Sequence, residues 1–222
     1  MPEQFTSQLA VKFNAEWFTL QQSVKSACID EAVAVFDKYR DRVHVRGTYV
    51  VQGFQPHTDI LFWTFADDVD DIQDMQLEIR RAEIGKYIST PHAFIGMSKP
   101  FEFSEHPTSF AVGVRARRYL CFYPFIRTPE YYLLPRRERK AVIGDHGDIG
   151  HEFVPDILTN GVYGFGLGDY EWLLTFETDN LGRLVDCVRK LRESKSRLYM
   201  ADEHPFIVGR LFPLREALAQ YA

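Results

Sequence analysis

Along the first half of the chain, the pattern of hydrophobic and polar positions alternates between segments with helical spacing and segments typical of β-strands. Apolar residues at helical spacing predict a helix over 22–42, and acidic residues at 67–71 are typical of the start of a second helix that ends near Tyr87. Runs rich in β-branched and aromatic residues predict the strands. These runs are 11–20, 43–54, 60–65 and 94–97.

The second half repeats this order. The predicted strands are 110–123, 162–165, 172–176 and 205–212, and residues 179–195 have the spacing of an amphipathic helix. We interpret residues 127–151, a turn followed by a helix from about Pro135, as an insertion that forms the lid or wall of a cavity.

A weak internal duplication supports this division, because six residue pairs recur at one offset of 112 positions. The pairs are Asp59/Glu171, Arg80/Arg192, Tyr87/Tyr199, His92/His204, Phe94/Phe206 and Ile95/Ile207. The order β-α-β-β-α-β within each copy is that of a ferredoxin-like unit. We therefore predict an α+β protein of two tandem ferredoxin-like (dimeric α+β barrel) units, with antiparallel sheets and outer helices. Their predicted bounds are 1–104 and 105–222, and the second unit carries the site.

Composition narrows the classes of partner. The 222 residues carry a net charge of -5, and the two basic clusters, 115–118 and 136–140, are short and interrupted, which argues against nucleic acid. No apolar run approaches a membrane span, and the first residues lack a signal-peptide pattern. Three widely spaced cysteines argue against a disulfide framework or a zinc site. We expect a cytoplasmic protein without a membrane partner.

Among the seven histidines, three remain as candidate metal ligands after four are set aside. His92 and His204 are related by the repeat and are assigned structural roles, His44 follows a helix end, and His57 lies in a hairpin turn. The candidates are His106, His146 and His151. His146 lies in the segment D-H-G-D-I-G-H, where Gly147 and Gly150 permit close approach of a flat ligand. The same pattern also suits a helix C-cap, and His151 is the competing ligand.

Tyr123 and Arg127 form a second candidate pair. Pro124 favours extended backbone at the tyrosine, and an arginine four residues on suits a carboxylate substrate because its bonds are bidentate and charge-assisted. The alternative interpretation is that Tyr123 is a core residue and Arg127 is solvated.

Four motifs carry a family resemblance. They are E-H-P at 105–107, Y-P-F-I-R at 123–127, Y-Y-L-L-P at 131–135 followed by a charged helix and D-H-G, and G-L-G-D-Y-E-W at 166–172. With these motifs the chain resembles the chlorite-dismutase-like heme proteins, and most closely their coproheme decarboxylases of actinobacterial type.

The resemblance implies that Fe-coproporphyrin III (coproheme) is both substrate and redox centre, that hydrogen peroxide is the oxidant, and that heme b is the product. It implies that His146 is the proximal iron ligand and His106 the distal base. Tyr123 would carry the radical that attacks a propionate. A homopentamer and a heme-transfer partner on the ferrochelatase side are further implications.

The resemblance also gives roles to four cofactor-binding positions. Arg127 would bind a propionate, Phe125 would line the porphyrin face, and Trp172 would lie near the heme on the proximal side. Thr159 stands 13 positions after His146, where chlorite-degrading members carry arginine, so chlorite chemistry is not expected. Two alternatives stay open: a non-catalytic heme-binding or transfer protein, and a chlorite-degrading or peroxidase-like enzyme.

Overall fold

The computed structural model describes residues 3–103 and 107–222, and the chain divides into two units. One unit comprises the residues up to 97 together with 207–222, and the other comprises 98–206. Within the described residues, no helix is both long enough and apolar enough to cross a membrane.

The elements of the first repeat, in chain order, are β1 (Gln4–Phe13), α1 (Gln22–Tyr39), β2 (Val43–Val50), β3 (Ile60–Ala66), α2 (Val69–Arg81) and β4 (Ile88–Ser98). The elements of the second are β5 (Tyr119–Arg127), α3 (Pro129–Leu133), α4 (Arg136–His151), β6 (Ile157–Tyr163), β7 (Trp172–Thr178), α5 (Leu181–Leu191), β8 (Met200–Asp202), β9 (Ile207–Phe212) and α6 (Leu214–Ala219). The predicted α+β class is confirmed.

Strand β1 begins seven residues earlier than the predicted strand 11–20. The pattern hides it because Thr6, Ser7 and Gln8 are polar yet buried. Thr6 donates a hydrogen bond to the carbonyl of Thr64, and the Ser7 hydroxyl accepts one from Gln76. Burial of hydrogen-bonded polar groups costs little, so the strand forms without an alternating apolar pattern.

The sheet of the first unit has the order β4-β1-β3-β2-β9. Strand β9 lies antiparallel to β2, with Thr48 opposite Phe212 and Val50 opposite Arg210. Residues 207–222 therefore group with the first unit, whereas the sequence-based boundary placed all of 105–222 in the second half. Backbone pairing to β2 is the physical reason for the difference.

The end of the chain completes the core of the first unit. The Phe13 ring stacks between Trp17 and Tyr221, at centroid distances of 4.8 and 5.0 Å. The indole N–H of Trp17 donates to the Tyr221 carbonyl at 2.6 Å, and the Tyr221 hydroxyl donates to the Asp59 carbonyl at 2.8 Å. These buried bonds tie the segment that follows α6 to Trp17 and to Asp59, just before β3.

The sheet of the second unit has the order β6-β7-β5-β8. Strand β5 runs on to Arg127, beyond the predicted end at Tyr123, because Pro124 stays in the strand opposite Leu173. Asn180 caps α5 by accepting hydrogen bonds from the backbone of Gly182 and Arg183.

The interpretation of residues 127–151 as an insertion is wrong. At the offset of 112 residues, β3 coincides with β7 at both ends, and α1 corresponds to α4. Helix α4 is thus the first helix of the second repeat. The two copies differ instead at their last strand, where β4 is continuous and its counterpart is split into β8 and β9.

Replacement of Tyr221 by Phe tests the closing role of the chain end. Tyr221→Phe removes one buried hydrogen bond and keeps the ring, so the free energy of unfolding should fall by about 1 kcal/mol. Urea denaturation measures the change. Tyr119→Phe is the matched control, because its ring is half-buried in strand β5. Equal stability of wild type and Tyr221→Phe would contradict the prediction.

Candidate active site

One face of the second unit's sheet carries most of the residues predicted for the site. Alternate residues of a strand share a face, so Tyr123, Phe125 and Arg127 of β5 point the same way. In the register of β5 and β7, Trp172 lies opposite Phe125 and Leu174 lies opposite Tyr123. Phe176, two residues after Leu174, shares their face and lies opposite Thr159 of β6. These side chains therefore line one surface.

This surface is more open than the reverse face of the same strands. Phe125, Trp172 and Leu174 are half-buried and Thr159 is exposed. The side chains of the reverse face are buried, and they include Leu120, Phe122, Leu173 and Val162. An apolar, aromatic surface that remains partly exposed can receive a flat ligand.

Tyr123 is a buried member of this surface, at 8% exposure. Its ring stacks on Phe206 with centroids 4.4 Å apart, and the Phe125 and Phe176 rings lie 6.4 and 6.1 Å away. Burial raises the pKa of the Tyr123 phenol far above its usual value. The side chain is therefore a neutral phenol at every working pH, able to give up a hydrogen atom but not present as phenolate.

Arg127 is buried, at 7% exposure, which excludes the solvated-arginine interpretation. Its Nη1 donates to the Ser196 hydroxyl at 3.2 Å, and its guanidinium lies 4.3 Å from the Tyr131 ring centroid and 5.5 Å from that of Phe125. The backbone N–H of the same residue donates to the Glu171 carboxylate at 2.9 Å.

The guanidinium of Arg127 has a hydrogen-bond donor that is not used within the described residues. Its buried Nε lacks a hydrogen-bond partner, and within residues 3–103 and 107–222 no carboxylate forms an ion pair with it. Burial lowers the pKa of Arg127, but a guanidinium stays charged. A buried cation without a counter-ion is costly and is a ready site for a carboxylate.

His146 lies inside helix α4, not at its end, so the C-cap interpretation is wrong; Glu152 is the cap. The ring is half-buried, and burial, followed by the charge of Arg127, lowers the pKa of His146. The imidazole is therefore neutral near neutral pH. The competing ligand, His151, is exposed and points about 140° away around the helix.

A short segment, residues 194–196, joins the helix to the sheet. The Ser194 hydroxyl lies 3.2 Å from Nδ1 of His146, and the Asp145 carboxylate accepts from the backbone N–H of Lys195 at 2.8 Å. The Ser196 hydroxyl accepts from Arg127. Through this segment, which we call the serine bridge, the structure brings His146 and Arg127 into one site.

Trp172 stands at the aromatic end of the surface. Its ring is parallel to that of Phe125, at 5.8 Å and 3°, and its indole N–H donates to the Tyr132 hydroxyl at 3.2 Å. That hydroxyl in turn donates to Glu171 at 2.5 Å. Strand β7 carries Trp172 on the sheet face of Tyr123. Its predicted place on the proximal side of a heme stays a prediction.

His106, the predicted distal base, lies outside the described residues. The chain that follows it is anchored beside Thr159, because the backbone N–H of Phe110 donates to the Asn160 side chain at 3.2 Å. Thr159 itself is neutral and exposed, so it places no cation on the surface.

Helix α4 offers an unobstructed strip next to His146. Gly150 lies about 40° from His146 around the helix, one turn further on. A Cβ built at Gly150 would meet nothing within 4 Å, and the same holds for Gly144, which lies about 160° from His146. The imidazole side of the helix therefore leaves room for a planar group.

Comparison with known proteins decides the family. The model of the chlorite dismutase family matches residues 25–212. This chain belongs to that family. A coproheme decarboxylase of Mycolicibacterium smegmatis is 36% identical over 195 residues, which cover 86% of this chain and 84% of the relative.

Solved structures of the family share the fold. A chlorite dismutase variant from Candidatus Nitrospira defluvii superposes with a TM-score of 0.90 at 19% identity, over 98% of this chain and 95% of that one. The complex of the same dismutase with imidazole gives a TM-score of 0.89 at 19% identity, over 98% and 94% of the two chains. At this identity the likeness establishes the tandem ferredoxin-like fold of the chlorite dismutase family and nothing about substrate.

Two parts of the site were missed by sequence reasoning: the serine bridge and the Glu171 carboxylate. Glu171 was singled out in the sequence because it pairs with Asp59 in the internal repeat. That pairing suggested a structural role, so no role in the site was sought for it. The serines carried none, because hydroxyl residues after a helix are common and only the fold brings them to His146 and Arg127.

Replacement of Gly150 by Phe tests whether a planar ligand lies along α4. Gly150→Phe would fill the strip beside His146 and should lower the affinity for coproheme roughly 10-fold or more, since overpacking costs about 1–3 kcal/mol. Absorbance titration of the apoprotein measures it. Gly144→Phe, with the same change on the far side of the helix, should bind as the wild type does. Equal losses in both variants would refute this placement.

Proposed function

We propose that this chain catalyses the oxidative decarboxylation of two propionates of coproheme to vinyl groups, giving heme b in heme biosynthesis. The observation that carries the proposal is the buried Arg127 guanidinium, whose Nε has no partner among the described residues. It is joined through the serine bridge to His146 and lies beside the Tyr123 surface. A sequence identity of 36% to a coproheme decarboxylase, over 86% of this chain and 84% of the relative, supports the same reaction.

The residues present fit an iron porphyrin. His146 offers a neutral imidazole that would hold the iron, and Arg127 would hold one propionate by charge-assisted bonds. Among the described residues no cluster of three or more His, Cys, Asp or Glu could bind a bare metal ion, so a macrocycle would supply the remaining donors. When bound, the iron porphyrin supplies the oxidising power for the reaction.

Tyr123 is the residue that we propose reacts with the substrate. Each propionate, R–CH2–CH2–COO⁻, becomes R–CH=CH2 plus CO2, one proton and two electrons. The Tyr123 oxygen, having lost its hydrogen atom, takes one from the propionate carbon next to the ring. Loss of a second electron and of CO2 then forms the vinyl group. Since the neighbouring rings fix Tyr123, only a propionate held in contact with its oxygen reacts.

The other predicted residues have supporting roles in this proposal. His106 would act as the base that accepts a proton from peroxide, in keeping with an ordinary histidine pKa of about 6.5. Phe125 would line the porphyrin face from the sheet side, with Trp172 stacked beside it. Thr159 would leave the iron's open side without a fixed cation.

Four further elements belong to the proposal. Hydrogen peroxide is the oxidant, and two equivalents balance the four electrons released by two propionates. A homopentamer would cover exposed apolar residues such as Leu133 and Leu198, which are 83% and 76% exposed. A transfer partner on the ferrochelatase side would exchange porphyrin with the chain. The cytoplasm suits the three free cysteines.

The two rival functions predict different products. A heme-binding or transfer protein would bind coproheme and release no CO2 on addition of peroxide. A chlorite-degrading enzyme would evolve oxygen from chlorite. The uncharged Thr159 and the buried phenol favour the decarboxylase over both.

Replacement of Tyr123 by Phe tests the reaction directly. Tyr123→Phe removes only the phenolic oxygen, so the variant should bind coproheme with wild-type affinity and yield no heme b when peroxide is titrated. Mass spectrometry of the porphyrin products measures the outcome, and the wild type should pass through a product with three propionates.

Tyr119→Phe, on the same strand, is the control and should turn over normally. Heme b formation at the wild-type rate by Tyr123→Phe would remove this tyrosine from the mechanism. Failure of the wild type itself to release CO2 would favour the binding-protein alternative.

Replacement of Arg127 by Met separates ligand binding from stability. Arg127→Met removes a desolvated cation, so the apoprotein should be at least as stable as the wild type. Affinity for coproheme should fall roughly 10- to 100-fold, since hydrogen bonds to charged groups contribute about 1.5–3 kcal/mol. Thermal unfolding of the apoprotein and absorbance titration provide the two measurements.

Arg118→Met, at an exposed arginine on the approach to strand β5, is the matched control and should change neither quantity. Undiminished affinity in Arg127→Met would show that the propionate is held elsewhere.

A further inference from the structure

The Ser194 hydroxyl lies at the contact between helix α4 and the end of α5. It is 4% exposed. Its oxygen is 2.9 Å from the carbonyl oxygen of Leu191 and 3.2 Å from Nδ1 of His146. The ring nitrogen and the carbonyl therefore share one hydroxyl group, which has a single hydrogen to give.

The position of that hydrogen follows from the partners. A carbonyl oxygen only accepts, and two buried oxygens 2.9 Å apart repel each other unless a hydrogen lies between them. The Ser194 hydrogen must therefore point at Leu191. Toward His146 the hydroxyl is left with lone pairs, so Nδ1 of the imidazole is the donor and carries the ring hydrogen.

We propose that Ser194 is the positioning residue of His146: it fixes the Nδ1–H tautomer and leaves the Nε2 lone pair free for the iron. The inference rests on the proposed function for the role of Nε2. The tautomer itself does not depend on any ligand. Metal-ligating histidines commonly donate their second ring N–H in this way, and the acceptor sets orientation and basicity.

The surroundings hold this acceptor in place. Lys195, the next residue, donates its backbone N–H to Asp145, which precedes His146, so two successive residues of each segment are linked. The acceptor is also neutral. A hydroxyl that is itself donating withdraws the Nδ1 hydrogen less than a carboxylate would, so the imidazole stays a neutral ligand instead of gaining imidazolate character.

The first test uses the apoprotein labelled with ¹⁵N-histidine, at a pH above the histidine titration range. Two-bond ¹⁵N–¹H correlation spectra report the tautomer of each ring. We expect His146 in the wild type to be in the Nδ1–H form. In Ser194→Ala the Nδ1–H to Nε2–H ratio should fall about fivefold or more, the factor that corresponds to one net hydrogen bond. Ser194→Thr, which keeps a hydroxyl, should restore the ratio.

Ser196→Ala is the matched control, because Ser196 bonds Arg127 and should leave the His146 tautomer unchanged. An Nε2–H tautomer of His146 in the wild-type apoprotein would overturn the proposal whatever the variants do. An unchanged ratio in Ser194→Ala would overturn it as well.

The second test uses the ferrous coproheme complex, in which resonance Raman reports the iron–imidazole stretching frequency. Ser194→Ala should shift this frequency, and Ser194→Thr should return it to the wild-type value; an unshifted band in the alanine variant counts against the positioning role. The wild type could give the expected apoprotein spectra and yet show no iron–imidazole band. That result would refute the iron-ligand role of His146, whereas the tautomer assignment would still hold.

Discussion

A buried positive charge that forms no ion pair within residues 3–103 and 107–222 is the constraint on which the site depends. Taking a guanidinium out of water costs several kcal/mol unless a carboxylate or a set of hydrogen bonds compensates it. Arg127 receives partial compensation from the Tyr131 ring and the Ser196 hydroxyl, and its Nε is left over. The site therefore favours binding of an anion, and a porphyrin with four carboxylates can supply one.

The serine bridge links the Arg127 guanidinium to His146, the iron ligand that we propose. One segment of three residues contacts the imidazole of α4 and the guanidinium of β5. A shift of either element would strain the same backbone. The distance between the metal position and the carboxylate position is thus set by a covalent segment, which is a stiffer constraint than packing alone. Such rigid support is what a reaction selective for particular propionates requires.

The sequence predicted the repeated order of elements and the strands 60–66 and 172–178 closely, because those strands are apolar and their offset is constant. It missed the true start of β1, where Thr6 bonds the Thr64 carbonyl of β3 and Ser7 bonds Gln76 of α2. It also treated α4 as an insertion, because Gly144, Gly147 and Gly150 weaken the apolar spacing that marks its partner α1. Gly150, one of the glycines that obscure the helix, also leaves room beside His146.

Site residues were predictable to the extent that a motif carried them. Tyr123, Phe125 and Arg127 share one sheet face, and His146 contacts the segment that also contacts Arg127. Their roles remain predictions, as do the role of His106, which lies outside the described residues, and the proximal-side place of Trp172. Ser194 and Glu171 act through contacts made by residues distant in the chain, which spacing along the sequence does not reveal.

The pairing of β9 with β2 has a consequence for how the chain is made. Trp17 and Phe13 are translated before the second repeat, whereas their partner Tyr221 is translated after it. The first unit therefore waits for the whole second repeat before its core can close. During synthesis its apolar interior stays open to chaperones, and any change near Tyr221 acts on a core whose other residues were synthesised before the second repeat.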